Sequence, residues 1–396
     1  MKNLQTKYLV LVAGIATLAS SSTALAQTND EIIRQYILNT CADIQAQELP
    51  VPQELLDACA LAQAPGPKIG NAGSIGASGV TSANVAYLSQ RAKEKREKEK
   101  KEEDKQNGGG ASADYKLGKL SIFANLAYMD GKRDTTQREN GFDIAQYGVT
   151  AGSDYRYNDK LFSGAAINVS KTENSMNNNA GSLDSNNFSL TLFSNYFIQD
   201  NLAVDGYVSA ATFSYDSTRH ITFGSLFADA NANYKGQQFA AGTSGTYSYY
   251  IKSLTLSGVG KLDYNTTDID AYSERDGGGL NFSYQKQSIK SFTGKLGIQA
   301  GYALSMSWGV LQPQARLHYV HEFSNNSRTV GSALVLAPEY PVSLTTDEPD
   351  RNYFLGGIGA STVLPNGLQT FLDVEFLSGH SYLSTWTATA GVRWEL

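Results

Sequence analysis

From Gly309 to Leu396 the chain changes character at every second residue, and that period of two restricts what it can fold into. Between Leu311 and Phe323 the odd positions are Leu311, Pro313, Ala315, Leu317, Tyr319, His321 and Phe323, while the even ones are Gln312, Gln314, Arg316, His318, Val320 and Glu322. Further on, Thr370, Leu372, Val374 and Phe376 alternate with Asp373 and Glu375. At the end, Trp386, Ala388, Ala390, Val392, Trp394 and Leu396 alternate with Thr387, Thr389, Arg393 and Glu395. A repeat of two belongs to strands. Segments of about ten residues with one apolar and one polar face suit a barrel with lipid outside and water inside. A soluble sandwich also alternates, so the rest of the chain has to separate the two.

The lengths of the connections do so. Strands read near 119–130, 142–156, 160–173, 186–198, 202–216, 236–248, 252–267, 288–304, 309–323, 352–363, 368–378 and 384–396. Short links at Tyr157–Asp159, Gln199–Asn201, Tyr249–Ile251, Ser305–Trp308 and Leu364–Gly367 alternate with long polar ones at Gly131–Gly141, Thr172–Ser185, Asp216–Lys235, Asp268–Gln287 and Asn325–Asp350, and the last link, Gly379–Leu383, is short again. An outer-membrane barrel has an even strand count, short turns at one end and longer loops at the other. A sandwich has no reason to alternate in this way. Composition agrees: 41% hydrophobic residues fits strands apolar on one side only. The 23 Tyr suit membrane interfaces, and 9 Pro among 396 residues leave few ladder breaks. A net charge of −6 gives no electrostatic footprint for nucleic acid.

Ahead of the barrel the pattern changes. Lys2 and Lys7, the apolar run Tyr8–Ala19 and Ala24-Leu25-Ala26 form a secretory signal, with cleavage expected after Ala26. No later run reaches the ~18 apolar residues of a membrane helix. Ile32, Ile33, Tyr36, Ile37 and Thr40 recur at helical spacing, Pro50 and Pro52 interrupt, and Leu55, Leu56 and Leu61 continue in a second helix. The only cysteines, Cys41 and Cys59, fall one in each helix, and an even count in an exported chain predicts a disulfide. The domains expected are a signal peptide at 1–26, a stapled helical hairpin at 27–64, a Gly/Ser-rich linker and charged helix at 65–110, and the barrel at 111–396. The helix at 83–106 carries both signs of charge and would reach about 36 Å. It reads either as a thread through a pore or as a solvated spacer.

The segments "LQPQARLHYVHEFSN" and "DRNYFLGGIGASTVLPNGLQTFLDVEFLSGHSYLSTWTATAGVRWEL" resemble the C-terminal translocator barrel of bacterial autotransporters, and "GFDIAQYGVTAGSDYRYNDKLFSGAAINVS" fits more loosely. The resemblance implies a twelve-stranded antiparallel transmembrane β-barrel in the outer membrane, a helix in its lumen and a passenger ahead of it. The N-terminal part is far shorter than the long β-helical passengers typical of the family. The last residue is Leu396 where such barrels usually end in Phe or Trp. The row Val392, Trp394 and Leu396 keeps the outward pattern of an assembly signal. The expected partners are outer-membrane lipid, the barrel-assembly machinery and periplasmic chaperones, with the chain a monomer. No cofactor is expected.

Catalytic readings find little support. His318 and His321 are three apart, which on a strand sends them to opposite faces, with His321 near the outer interface and Glu322 in the lumen. There is no Gly-x-Ser-x-Gly elbow. His220 and His380 lie by loops without a visible partner set, and Gly277–Gly279 reads as a loop tip. The charges expected to face inward are Arg316, Glu322, Asp373, Glu375 and Arg393. They would pair with one another, with water or with a plug helix, or else serve conduction. The function that emerges is an outer-membrane barrel that anchors or translocates a short N-terminal segment. The alternatives are a surface protein binding through its loops and a small porin-like channel.

Overall fold

The computed structural model describes residues 29–47, 51–62 and 119–396 except 224, 325 and 366. The cleavage site at Ala26, the linker and the charged helix at 83–106 lie outside the described residues. Two helices, α1 (Asn29–Gln47) and α2 (Gln53–Ala62), precede twelve long strands. These are β1 (Leu120–Arg133), β2 (Phe142–Arg156), β3 (Leu161–Met176), β4 (Gly181–Gln199), β5 (Leu202–Phe223) and β6 (Leu226–Ile251), then β7 (Leu254–Ile269), β8 (Gln287–Tyr302), β9 (Gly309–Glu322), β10 (Asn352–Val363), β11 (Leu368–Ser378) and β12 (Leu383–Glu395). Each pairs antiparallel with the next. β1 also pairs with β12, from Ser121 opposite Glu395 to Arg133 opposite Leu383, so the sheet closes as a twelve-stranded barrel.

Alternation along each strand sorts the side chains between two solvents. On β4, Phe188, Leu190, Leu192, Tyr196 and Ile198 point out and are exposed, while Asn187, Ser189 and Thr191 point in. Leu296 and Ile298 on β8 are 70% and 69% exposed, which only a lipid solvent makes tolerable. The eleven residues from Phe188 to Ile198, on strands tilted about 40°, cover a band of roughly 25 Å, the height of the apolar belt of a membrane barrel. Aromatic residues collect at its margins. Tyr128 lies 5.1 Å from Tyr147 and 5.5 Å from Trp386 at the long-loop end, and Tyr155 meets Tyr157 at the short-turn end.

The lumen wall is polar in the middle and apolar near both ends. Phe123, Phe162, Phe193 and Phe197 cluster in the short-turn half. Phe142, Met176, Leu183, Phe213 and Ile269 form a collar in the long-loop half.

Two of the connections read as long polar loops are not loops. Strands β5 and β6 stay paired from Asp216 opposite Asn233 out to Phe223 opposite Leu226. β3 runs on to Met176 and β4 begins at Gly181, joined by a tight turn in which Asn178 and Asn179 take positive φ. Their outer faces meet water, so they carry Thr, Asn and Asp where a membrane strand carries Leu, and the alternation becomes hard to see. Two further loops contain a small outer sheet. Its strands, in spatial order, are Ala337–Thr345, Thr329–Leu334, Phe282–Tyr284 and Tyr272–Ser273.

The helices pair through a disulfide between Cys41 and Cys59, whose Cα atoms are 5.4 Å apart. Ile33, Ile37, Cys41 and Ile44 recur every three or four residues and are nearly fully buried, as are Leu55, Ala58 and Cys59 of α2. Among the described residues no helix is long and apolar enough to cross a membrane.

Two predictions follow from this packing. Trp394 is 49% exposed and sits opposite Ile122 across the β1–β12 seam, with Leu368 on its other side. Trp394→Asp puts a charge on the lipid face at a cost of about 1 kcal/mol near the interface, and lowers the yield of heat-modifiable barrel. Wild-type yield would contradict the lipid-facing assignment. Closing the hairpin by the disulfide contributes roughly 3 kcal/mol on a chain-entropy basis. Cys41→Ser with Cys59→Ser therefore raises proteolysis of residues 29–62 about a hundredfold, read against the barrel fragment as internal standard.

Candidate functional site at the long-loop mouth

The helical hairpin packs on the long-loop end of the barrel. Its apolar stripe meets Leu280, Phe282 and Tyr284 from one loop, and Val330, Leu334, Ala337, Val342 and Leu344 from another. It also meets Ile221 and Ala230 on the extension of β5 and β6. The Tyr36 hydroxyl donates to the carbonyl of Tyr340 and accepts from the Leu334 amide at 3.2 Å, tying α1 to the outer sheet. Burial pushes this phenol's pKa up, so it stays a neutral donor. At Gly279 φ is +85°, and a Cβ would fall 2.7 Å from the carbonyl oxygen of Glu54. Only glycine lets the loop tip come this close to α2.

Beneath the hairpin lies a buried ion pair. Arg219 on β5 donates from Nε to Glu274 Oε1 at 2.9 Å and from Nη2 to Oε2 at 2.5 Å, and also reaches the Leu280 carbonyl at 2.9 Å. Glu274 accepts the Phe282 amide as well, at 2.9 Å. The side chains are 3% and 6% exposed, so either partner alone would be a buried, unpaired charge. A column of rings runs alongside. Tyr215 stacks on Tyr234 at 4.9 Å, Tyr234 on Tyr272 at 3.9 Å and Tyr272 on Tyr284 at 4.8 Å; Phe282 then touches Tyr36 at 6.0 Å.

The other long loop is held on the far rim. Asp347 pairs with Arg133, which also holds Glu139 at 2.9 Å and lies 4.8 Å over the ring of Tyr382. Asp350 accepts the Ser381 hydroxyl at 2.9 Å and faces His380 at 3.5 Å. Burial lowers the His380 pKa, more than Asp350 raises it. His220 lies 2.6 Å from Asp229. Both loop histidines thus have a carboxylate partner that sequence did not reveal.

The inward charges lie deeper in the barrel. Arg316 on β9 spans β10 and forks onto β11, reaching Asp373 at 2.5 and 2.6 Å and Glu375 at 3.0 Å. Gly357 on β10 makes the passage possible, because a Cβ there would fall 2.5 Å from Arg316 Cζ. Glu322 accepts the Ser291 hydroxyl at 2.5 Å and the Phe292 amide at 3.0 Å. Arg393 holds Glu395 at 2.5 Å and the Ser121 hydroxyl at 2.7 Å. Val392 and Leu396 are about half exposed on the outward row. His318 and His321 take opposite faces, with His321 bonded to Asn352 at 2.8 Å. The structure does not unite these residues in one catalytic cluster. Among the described residues no group of three or more His, Cys, Asp or Glu could hold a metal ion.

The docking role of Tyr36, and Arg219 and Glu274 altogether, escaped sequence reasoning. A signal was present: Tyr272, Leu280, Phe282 and Tyr284 crowd one supposedly polar loop, and Val330, Leu334, Val342 and Leu344 another. Apolar residues in a loop beyond the membrane belt require something to cover them.

The geometry has counterparts among known proteins. The fold resembles the translocator domain of the autotransporter NalP from Neisseria meningitidis, with TM-score 0.57 and 16% identity over 80% of this chain and 97% of that one. It also resembles the β-domain of the Bordetella autotransporter BrkA, with TM-score 0.54 and 14% identity over 71% of this chain and all of that one. In sequence, an uncharacterised protein YaiT of Escherichia coli K12 is 23% identical over 283 residues, and YaiT of Salmonella typhimurium is 22% identical. Those matches take in 68% of this chain but only 26% of either relative, so the chain spans about a quarter of their length. The model of the autotransporter β-domain matches residues 122–375. The chain belongs to the autotransporter β-domain family and is an outer-membrane β-barrel.

Proposed function

We propose that this barrel carries the segment ahead of it to the cell surface and retains the helical hairpin there, docked on the outer loops. One observation carries the reading. The hairpin ends at Ala62 on the long-loop side, whereas β1 starts at Leu120 on the short-turn side, where it pairs with the end of β12. The chain between them has to cross the height of the barrel. Its sequence includes Arg91-Ala-Lys-Glu-Lys-Arg-Glu-Lys-Glu-Lys-Lys-Glu-Glu-Asp-Lys, which hydrocarbon rejects at several kcal/mol per charge. In this reading that segment passes through the polar lumen.

In this reading the barrel is not an enzyme. Described charges of its lumen wall are held by partners on nearby strands, as in the fork of Arg316 onto Asp373 and Glu375, and line a wet passage. Insertion uses the barrel-assembly machinery and periplasmic chaperones, with the outward row of β12 presented to lipid. The oxidising periplasm supplies the disulfide.

An epitope tag inserted between Thr28 and Asn29 tests the topology. Antibody added to intact cells decorates the tag if the hairpin lies outside. Decoration only after permeabilisation would overturn the reading.

A further inference from the structure

We propose that the helical hairpin and the outer sheet form a lid that seals the outer mouth of the barrel, so that the pore is closed on the outside whatever its lumen holds. This rests on the surface placement argued above, and adds to display a second function, that of a permeability barrier.

The hairpin is on the axial side of the rim. On β5 the odd positions face the lumen and on β6 the even ones do, as Ala211 and Phe213, and Ala232 and Tyr234, show within the barrel. Ile221 and Ala230 continue those same rows beyond the membrane belt, and they are buried in the same apolar cluster as the hairpin. A hairpin leaning on the outside of the wall would have met the opposite rows.

The sheet below it is fixed around the rim. Its strands grow out of the β7–β8 and β9–β10 loops. Arg219 with Glu274 fastens it to β5, and Arg133 with Asp347 fastens the segment that follows it to β1. An isolated bridge between Asn231 and Arg275 adds a tie to β6. Attachments so distributed hold a roof rather than a flap.

The closure is apolar and continuous with the wall. The ring column starts on lumen-facing Tyr215 and Tyr234, passes through Tyr272 and Tyr284 of the outer sheet, and ends at Tyr36 of α1. Just beneath, Phe142, Met176, Leu183 and Ile269 narrow the lumen with an apolar collar. An apolar constriction that sheds water stops ions even where it is not sterically shut.

The test is conductance of the purified full-length protein in planar bilayers, comparing wild type with Ile37→Asp and Leu55→Asp. Both positions have zero exposure in the hairpin core, one in each helix, and neither touches the membrane-spanning wall. Gln35→Asp, on the exposed face of α1, is the control. Heat-modifiability confirms the barrel in each sample, and protease release of residues 29–62 confirms undocking. Wild type and Gln35→Asp stay nearly silent, while Ile37→Asp and Leu55→Asp conduct at least tenfold more. If the core variants release the hairpin, keep the barrel and remain as silent as wild type, the lid is not the seal. If one variant yields no barrel, the other decides. Should the tag at Thr28 be reachable from outside while conductance stays unchanged, the lid fails and surface display stands. A tag unreachable in wild type removes both.

Discussion

Hydrocarbon offers no partner to a backbone N–H or C=O, so a sheet that crosses it has to close on itself. The pairing of β1 with β12 satisfies that demand, and much else in the molecule follows from it. Twelve strands enclose a lumen wider than side chains alone can fill. The wall is therefore lined with Ser, Thr and Asn, and its charges are cross-linked in place, as Arg316 is across two strands. A closed cylinder has no free edges along its wall but two open ends, and those ends are where this chain departs from a plain barrel.

At the long-loop end the departure is built from parts that are weak alone. A helix as short as the ten residues of α2 is marginal in water, and the disulfide holds α1 to α2 without covering their apolar stripe. The outer sheet has its own exposed Leu and Val rows until the hairpin covers them. Folding of the hairpin and its docking are thus one event, worth more than either. The Arg219–Glu274 pair fits this logic: its desolvation is tolerable only when Leu280 and Phe282 are seated above it. Reaching the dry core of the roof, a surface helix gains the burial that a solvated one lacks.

The barrel was legible because lipid enforces strict alternation: β10 and β11 occupy the spans read from sequence, and β9 differs by one residue. Where lipid ends, the signal fades. The extensions of β5 and β6 present Thr218, Thr222 and Asn233 outward, and sequence reading took them for loop. The hairpin could be recognised from its 3.6-residue spacing and its cysteines, but not where it docks. That depends on pairs such as Tyr36 with Tyr340, and Arg219 with Glu274, far apart in sequence and carrying no periodic mark. The inward direction of Arg316 and Asp373 was readable from alternation, while their fork depended on Gly357, whose importance appears only when three strands lie side by side.

The most direct measurement of the account is amide hydrogen exchange on the membrane-inserted protein, followed across α1. Docking predicts that Ile33–Ile44 exchange as slowly as the outer-sheet strand Thr329–Leu334, since both belong to one buried cluster. Exchange of α1 within seconds, while β1 to β12 stay protected, would show a hairpin that does not rest on the barrel and would contradict the account.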